Sequence, residues 1–237
     1  RRSGIATKCL AMQHASVGHG KTFYHLHPEL EFAGRPDGQP VPHPEKVFAM
    51  GELGARLFLE WGYRPDQIEL TGVARFDGVR FDADAVDDQP VKRDPKAELR
   101  VLMVPSLADE IEINLIEAVC CAVEGLSGLG VCLRKHPFSA LDQYPRFQSL
   151  ADQITMTGGD LAADIARADV VLFTYSTVAD EAFLLGKPCW QWLPLGFNGS
   201  ALTQVTEVLQ FATVQALRRA FEDFVAAPEN FVPTIDE

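Results

Sequence analysis

The chain has 237 residues, 47% of them hydrophobic and 23% charged, and carries a net charge of −12 at pH 7. That length and apolar content suit a globular protein of one large or two small domains with a sizeable core. The negative charge argues against a nucleic-acid partner and against a polybasic membrane patch, since both need a basic field. The five cysteines (Cys9, Cys120, Cys121, Cys132 and Cys189) are odd in number and form no Cys-x-x-Cys pair. A reduced, cytoplasmic setting fits them best. No apolar run reaches the roughly 18 residues of a membrane-spanning helix. No signal-peptide pattern opens the chain. The sequence starts in mid-pattern without Met, so part of a longer protein is expected.

Gly4 to Gln13 reads as a strand ending at Gln13-His14. Residues 15–46 are rich in Gly, Pro and His without periodicity, and so long a loop is more often functional or mobile than structural. Val47 to Met50 is a short strand. Gly51 to Gly62 is helical, with Leu53, Leu57, Phe58 and Trp61 on one face. Ile68 to Thr71 is a strand, and Gly72 to Asp77 a turn into a short helix. Asp82 to Lys96 is acidic and poor in apolar residues, as a linker is. The domains are accordingly drawn as a partial N-terminal α/β portion at 1–82, a linker at 83–97 and a C-terminal domain at 98–237.

Beyond the linker, strands at Leu99–Val104, Gly130–Arg134, Ile154–Thr157, Val170–Phe173 and Cys189–Trp192 alternate with helices. The helices fall at Asp109–Leu126, Gln143–Asp152, Leu161–Arg167 and Val178–Leu185. Two more, Val205–Gln210 and Gln215–Ala226, close the chain. Such alternation implies right-handed crossovers and a doubly wound parallel sheet of the Rossmann-like α/β class. The last helix puts Leu217, Phe221 and Phe224 on one face, to pack on a core or to meet a partner or membrane surface.

Val170 to Phe173 is a run of apolar residues followed at once by Thr174, Tyr175, Ser176 and Thr177. Thr177 suits a helix N-cap, with Asp180 in the first turn. Gly186 and Pro188 end the helix. Hydroxyls between a strand's carboxyl end and a helix suit a phosphate, and they equally suit plain capping. Arg134-Lys135-His136-Pro137 ends another strand. There it offers two cations and an imidazole to the same crevice, or else solvated end-of-strand charges. Ser106 begins a further strand-to-helix loop. No Gly-x-Gly-x-x-Gly fingerprint and no Gly-x-x-x-x-Gly-Lys-Ser/Thr loop is present, so no dinucleotide cofactor is expected. Asp109 and Glu110 fit the first turn of a helix. Glu181 suits either a ribose hydroxyl or a helix surface. His14, His19, His25, His27 and His43 crowd the first 43 residues at no spacing that suits a metal. A single histidine as general base is the better use, and His14 at a strand's end is the best placed.

In their order, Arg134-Lys-His-Pro137, Ala168 to Thr177 and Gly186-Lys-Pro188 resemble the C-terminal domain of GT-B glycosyltransferases. They are most similar to the group with an HP motif and a later paired-serine motif. That group includes CDP-glycerol glycerophosphotransferases and capsule sialyl- and Kdo-transferases. Gln13-His14 looks like that group's QHG, and Glu69 to Asp77 like its VTGxPRFD segment. Ala15 stands where the family has Gly, Thr177 where it has a second Ser, and Phe173 where many retaining members have Glu. The resemblance implies an inverting, metal-independent transferase of bacterial surface-polysaccharide synthesis. Its activated donor would be a CMP-, CDP- or UDP-linked compound, and its acceptor a saccharide or a lipid-linked molecule. It further implies that His136, Ser176 and Thr177 hold the donor's phosphates and that His14 is the base. Ser106, Arg134, Lys135, Thr174 and Glu181 join the donor site on their own placement, and the setting expected is cytoplasmic, at the inner face of the membrane. A non-catalytic nucleotide-sugar or partner-binding module, and an enzyme like UDP-GlcNAc 2-epimerase, share this architecture and remain alternatives.

Overall fold

The computed structural model describes residues 8–18, 20, 25, 27, 37–38, 43–73, 76–77, 98–194 and 199–231. The chain divides into two compact units, Arg1–Gly78 and Val79–Glu237. The expected linker at 83–97 lies outside the described residues, as do His19 and most of the loop before β2.

In the first unit β1 (Leu10–Met12), β2 (Lys46–Ala49) and β3 (Ile68–Leu70) form a parallel sheet in that order. Helix α1 (Glu52–Glu60) follows β2. Its apolar residues recur at helical spacing, and they bury Leu57, Phe58 and the adjoining Trp61 against Val17, Val47 and Ala49. The helix ends on Gly62, whose φ of 94° places it in the left-handed region. There Tyr63 N–H reaches Phe58 O at 3.0 Å and Gly62 N–H reaches Leu59 O at 3.1 Å. This is the double closure that a glycine after the last turn permits. The phenol of Tyr63 then packs edge-on against Phe58 at 5.4 Å.

At the end of β1 the Gln13 carboxamide is enclosed. Its Oε1 accepts from Met50 N–H at 3.0 Å and its Nε2 donates to Ala15 O at 2.9 Å. A Cβ on Gly54 would sit 2.5 Å from that Oε1, so a side chain at position 54 would push the carboxamide out of this place. Gln13 thus holds the strand end that carries His14. On β1, Leu10 and Met12 remain 57% and 68% exposed.

The second unit is a six-stranded, wholly parallel sheet. Its strands are β4 (Leu99–Met103), β5 (Leu129–Arg134), β6 (Thr155–Thr157), β7 (Val170–Phe173), β8 (Cys189–Trp192) and β9 (Leu209–Phe211). Their spatial order is β6-β5-β4-β7-β8-β9. That is the doubly wound order, reversing direction between β4 and β7. Helices cover both faces. With α2 (Asp109–Val123), α3 (Pro145–Gln148) and α6 (Val214–Ala226), Met103, Val170, Leu172 and Trp190 bury one core layer. Over the other face, α4 (Leu161–Arg167) and α5 (Val178–Leu184) cover Leu102, Val171 and Phe173. Residues of β7 therefore alternate between two cores. This is why an unbroken apolar run is needed there.

Two expectations change. The continuous helix expected at Gln143–Asp152 is broken into short turns around α3. Pro145 has no N–H to continue a helix and holds Tyr144 extended, at ψ 119°. The helix expected at Val205–Gln210 does not form. Val205, Val208 and Phe211 have helical spacing, but a turn at Ala201–Gln204 precedes β9, which pairs with β8 from Trp190↔Leu209 to Trp192↔Phe211. Pairing satisfies the buried backbone of β8, which an uncovered edge would leave exposed. The last helix packs as expected of a core helix: α6 buries Leu217, Phe221 and Phe224. Among the described residues no helix is long and apolar enough to cross a membrane.

Candidate functional site

At the reversal between β4 and β7, one chain end turns toward α2 and the other toward α5, on opposite faces. The crevice left between the two loops is where open α/β sheets bind ligands. Ser106 lies in the first loop, and Thr174, Tyr175 and Ser176 in the second. The two are joined by a residue not marked in the sequence. Glu112, in the first turn of α2, is fully buried at 0% exposure. Its Oε1 lies 2.8 Å from Ser106 Oγ and 2.6 Å from Thr174 Oγ1. The carboxyl thus spans the crevice from below.

Of the eight buried polar residues among those described, Glu112, Thr174, Ser176 and Gln191 stand at this end of the sheet. Gln191 Nε2 donates to Thr174 O at 2.6 Å, and Trp192 Nε1 donates to Asn114 Oδ1 at 2.8 Å. Glu112 Oε2 and Gln191 Oε1 are buried with no hydrogen-bond partner among the described residues. A core that is otherwise apolar does not collect such groups without a use, because unpaired buried polar atoms are costly.

The His136 loop is fastened to the same helix. Asp109 accepts from Ser139 Oγ at 2.8 Å and from Ala140 N–H at 3.3 Å. Ser139 N–H closes a turn on His136 O at 2.9 Å, with Pro137 at the position a turn favours. His136 Nδ1 accepts from Phe138 N–H at 3.2 Å, so the neutral ring carries its proton on Nε2. The first turn of α2 therefore ties down three loops, through Asp109 and Glu112. The two cations beside His136 are already engaged. Arg134 Nη1 meets Asp164 Oδ2 at 2.5 Å and Gly159 O at 2.9 Å, and Lys135 pairs with Asp142. They are held by carboxylates outside the crevice loops, where the sequence suggested free charges at the crevice mouth.

Thr177 occupies the N-cap of α5 but makes no capping bond through its side chain, because its φ of −72° and ψ of −10° are already helical. Ser176 Oγ accepts from Val178 N–H instead, at 3.4 Å. Glu181 stands half-buried on α5. The Gly186-Lys-Pro188 segment has a structural task. Gly186, at φ 72°, lets Lys187 N–H reach Ala182 O at 3.0 Å. Lys187 Nζ then donates to Ala166 O and Ala168 O, the carbonyls that end α4. In the first unit His14 is exposed at the end of β1, and His25 stacks on Trp61 with ring centroids 5.0 Å apart.

A separate cavity of about 400 Å³ opens on the α4 face of β4, β5 and β6, lined by Arg100, Cys132, Thr155, Thr157, Asp164 and Arg167 among others. It arises because the β5–β6 connection packs Leu141 and Phe147 on the opposite face. None of the residues picked from the sequence lines it.

Burial holds the Glu112 carboxyl above its ordinary value of 4.5, against the pull of the hydrogen bonds from Thr174 and Ser106, with Asp109 adding to the rise. Burial likewise raises the Tyr175 phenol. The folded state thus binds the Glu112 proton more tightly than the unfolded state does. Its contribution to stability is whole below pH 4.5 and is lost as pH rises through the raised value. Urea midpoints measured from pH 4.5 upward should fall more steeply for the wild type than for Glu112→Gln. Parallel curves would show that the carboxyl titrates normally.

No protein-family model matches the sequence, and neither does any curated protein. Solved structures do share its fold. UDP-GlcNAc 2-epimerase from Neisseria meningitidis, bound to UDP-GlcNAc, superposes with a TM-score of 0.59 at 13% identity, over 79% of this chain and 55% of that one. A putative UDP-N-acetylglucosamine 2-epimerase from Listeria monocytogenes gives 0.57 at 16%, over 79% and 52%. The wall teichoic acid polymerase TagF gives 0.54 at 10%, over 95% and 61%. The chain spans roughly half the length of the epimerases it resembles. These are proteins of the GT-B fold, and the likeness is one of architecture: a Rossmann-like parallel sheet between two helical layers.

Proposed function

We propose that the chain belongs to an enzyme of cell-surface polysaccharide synthesis that takes a nucleotide-activated donor, a glycosyl- or glycerophosphotransferase of the HP-motif group. The observation that carries this reading is the crevice between β4 and β7. There Ser106 and Thr174 meet on one buried carboxyl, beside a His136 loop fastened to the same helix. The His136-Pro137 turn on this fold favours a transferase. In this reading His14 accepts the proton of the acceptor hydroxyl, whose oxygen attacks the transferred group. The bond to the nucleotide phosphate breaks, and its electron pair leaves with that phosphate. Charge building on the leaving phosphate is met by His136 Nε2–H and the crevice hydroxyls, which is electrostatic stabilisation aimed at the transition state. Arg134 and Lys135 serve by holding their loop, through Asp164 and Asp142. Ser176, Thr177 and Glu181 stay candidates for the nucleoside side of the donor. The chemistry calls for no metal, and work at the inner membrane face belongs to the same reading.

An epimerase is the second reading, favoured by the TM-score of 0.59 to a UDP-GlcNAc-bound example. Product analysis separates the two, since an epimerase changes the sugar without an acceptor.

A thermal-shift panel with CMP, CDP, UDP and GDP tests the reading at its root. A ligand at a hundredfold excess over its dissociation constant adds about 2.7 kcal/mol to the native state. A selective rise with one nucleotide is the expected result. No rise with any of the four would leave a module that binds something else.

A further inference from the structure

Glu112 poses a question of proton count. Three oxygens lie within hydrogen-bonding distance: Glu112 Oε1, Ser106 Oγ and Thr174 Oγ1. Each hydroxyl owns one proton. If the carboxyl is ionised, both hydroxyls spend their protons on Oε1, and each can only accept from anything in the crevice. A phosphate, which also only accepts, then finds no donor in either side chain and a buried negative charge behind them. A protonated carboxyl reverses this. On Oε2 the proton would have no acceptor among the described residues, and such a buried donor is penalised. On Oε1 it has one.

Thr174 is buried and Ser106 is half-buried, which sets the direction of the chain. Thr174 Oγ1–H donates to Oε1, Oε1–H donates to Ser106 Oγ, and Ser106 Oγ–H points onward. The phenol of Tyr175 shares the Ser106 oxygen. If Ser106 donates to that phenol, the phenol's own proton becomes the one presented, and the count is unchanged.

We propose that Glu112 is a positioning residue that carries a proton whenever the crevice holds a phosphate, so that Ser106 faces the ligand as a hydrogen-bond donor. The inference rests on the reading of the crevice as a nucleotide-phosphate site. Burial favours the protonated form. The ionisable groups that act on the carboxyl are Asp109, on its own helix, and Tyr175, on the β7–α5 loop. Both oppose its ionisation when they are charged.

The direct test is the infrared difference spectrum of the protein loaded with whichever of CMP, CDP, UDP and GDP the panel selects. The expected result is a protonated-carboxyl C=O band that is absent from Glu112→Gln. Nucleotide affinity of the wild type should fall by up to tenfold per pH unit once Glu112 ionises in the free protein. In Glu112→Gln that fall should be absent, because the amide is a permanent donor. Ser106→Ala keeps the acid but removes the hydroxyl that passes the proton on, and it should bind weakly with little pH dependence. If Glu112→Gln does not fold, the wild-type band and Ser106→Ala still decide. Loaded wild type without the band overturns the inference while the nucleotide reading stands. Failure of CMP, CDP, UDP and GDP alike to bind the wild type overturns the reading beneath it, and the inference with it.

Discussion

Trp190→Ala is expected to destabilise the second unit by about 3–5 kcal/mol, the usual range for deleting a large buried aromatic. Trp190 is 1% exposed on β8. Its ring lies 5.4 Å from Phe211, 5.2 Å from Phe221, 5.4 Å from Phe224 and 5.5 Å from Phe231, measured between centroids. One indole thus joins β8, β9, α6 and the turn that follows α6. No neighbouring ring can collapse into the space without leaving the others, so a cavity remains. Domains of this size keep only about 5–15 kcal/mol in all, and the loss should be plain in urea unfolding followed by circular dichroism. Phe138→Ala is the control. That ring is 84% exposed, and its loss should stay within about 0.5 kcal/mol. A Trp190→Ala change below 1 kcal/mol would mean that the aromatic cluster is not packed as described.

On the proposed transferase function, His136→Ala should lower transfer by about 10²–10³-fold, the size of effect seen when one preorganised donor to a developing charge is removed. The imidazole does little for the fold. It accepts one hydrogen bond, from the exposed Phe138 N–H, and the loop keeps its tie to α2 through Ser139, Ala140 and Asp109. The unfolding midpoint should therefore hardly move while the rate collapses. Transfer at near wild-type rate would remove His136 from the mechanism. A fall in both rate and stability would assign it to the loop instead.

Much of this fold is legible because parallel strands buried on two sides need unbroken apolar runs. Val101 to Val104 and Val170 to Phe173 cannot be placed elsewhere. β9 was hidden because Val205, Val208 and Phe211 copy a helical spacing, and only the backbone of β8, distant in sequence, decides against it. Ser106 and Thr174 were legible one by one, as hydroxyls where strands end. That they share a carboxyl was not. Glu112 follows Asp109 and Glu110 and passes for one more acid favoured by a helix dipole. A sharper signal was present: Leu115, Ile116 and Val119 lie three, four and seven positions on, and all three are buried. An acid in phase with the buried stripe of a helix is not a surface acid. Arg134 and Lys135 gave no such hint, because Asp164 and Asp142 become their partners only in the folded chain.

The position of β4 at the centre of its sheet has a kinetic consequence. It meets β5 through a near pairing, Leu99↔Leu129, but meets β7 through a far one, Val101↔Val170. The longer loop closes at greater entropic cost, so the second pairing belongs late in folding. The crevice has both of its walls only after that step. A ligand that bridges them strengthens a contact absent from earlier states, and such contacts slow unfolding without hastening folding. The supply of a ligand for the crevice would then set how long the folded chain lasts, and leave unchanged how quickly it forms.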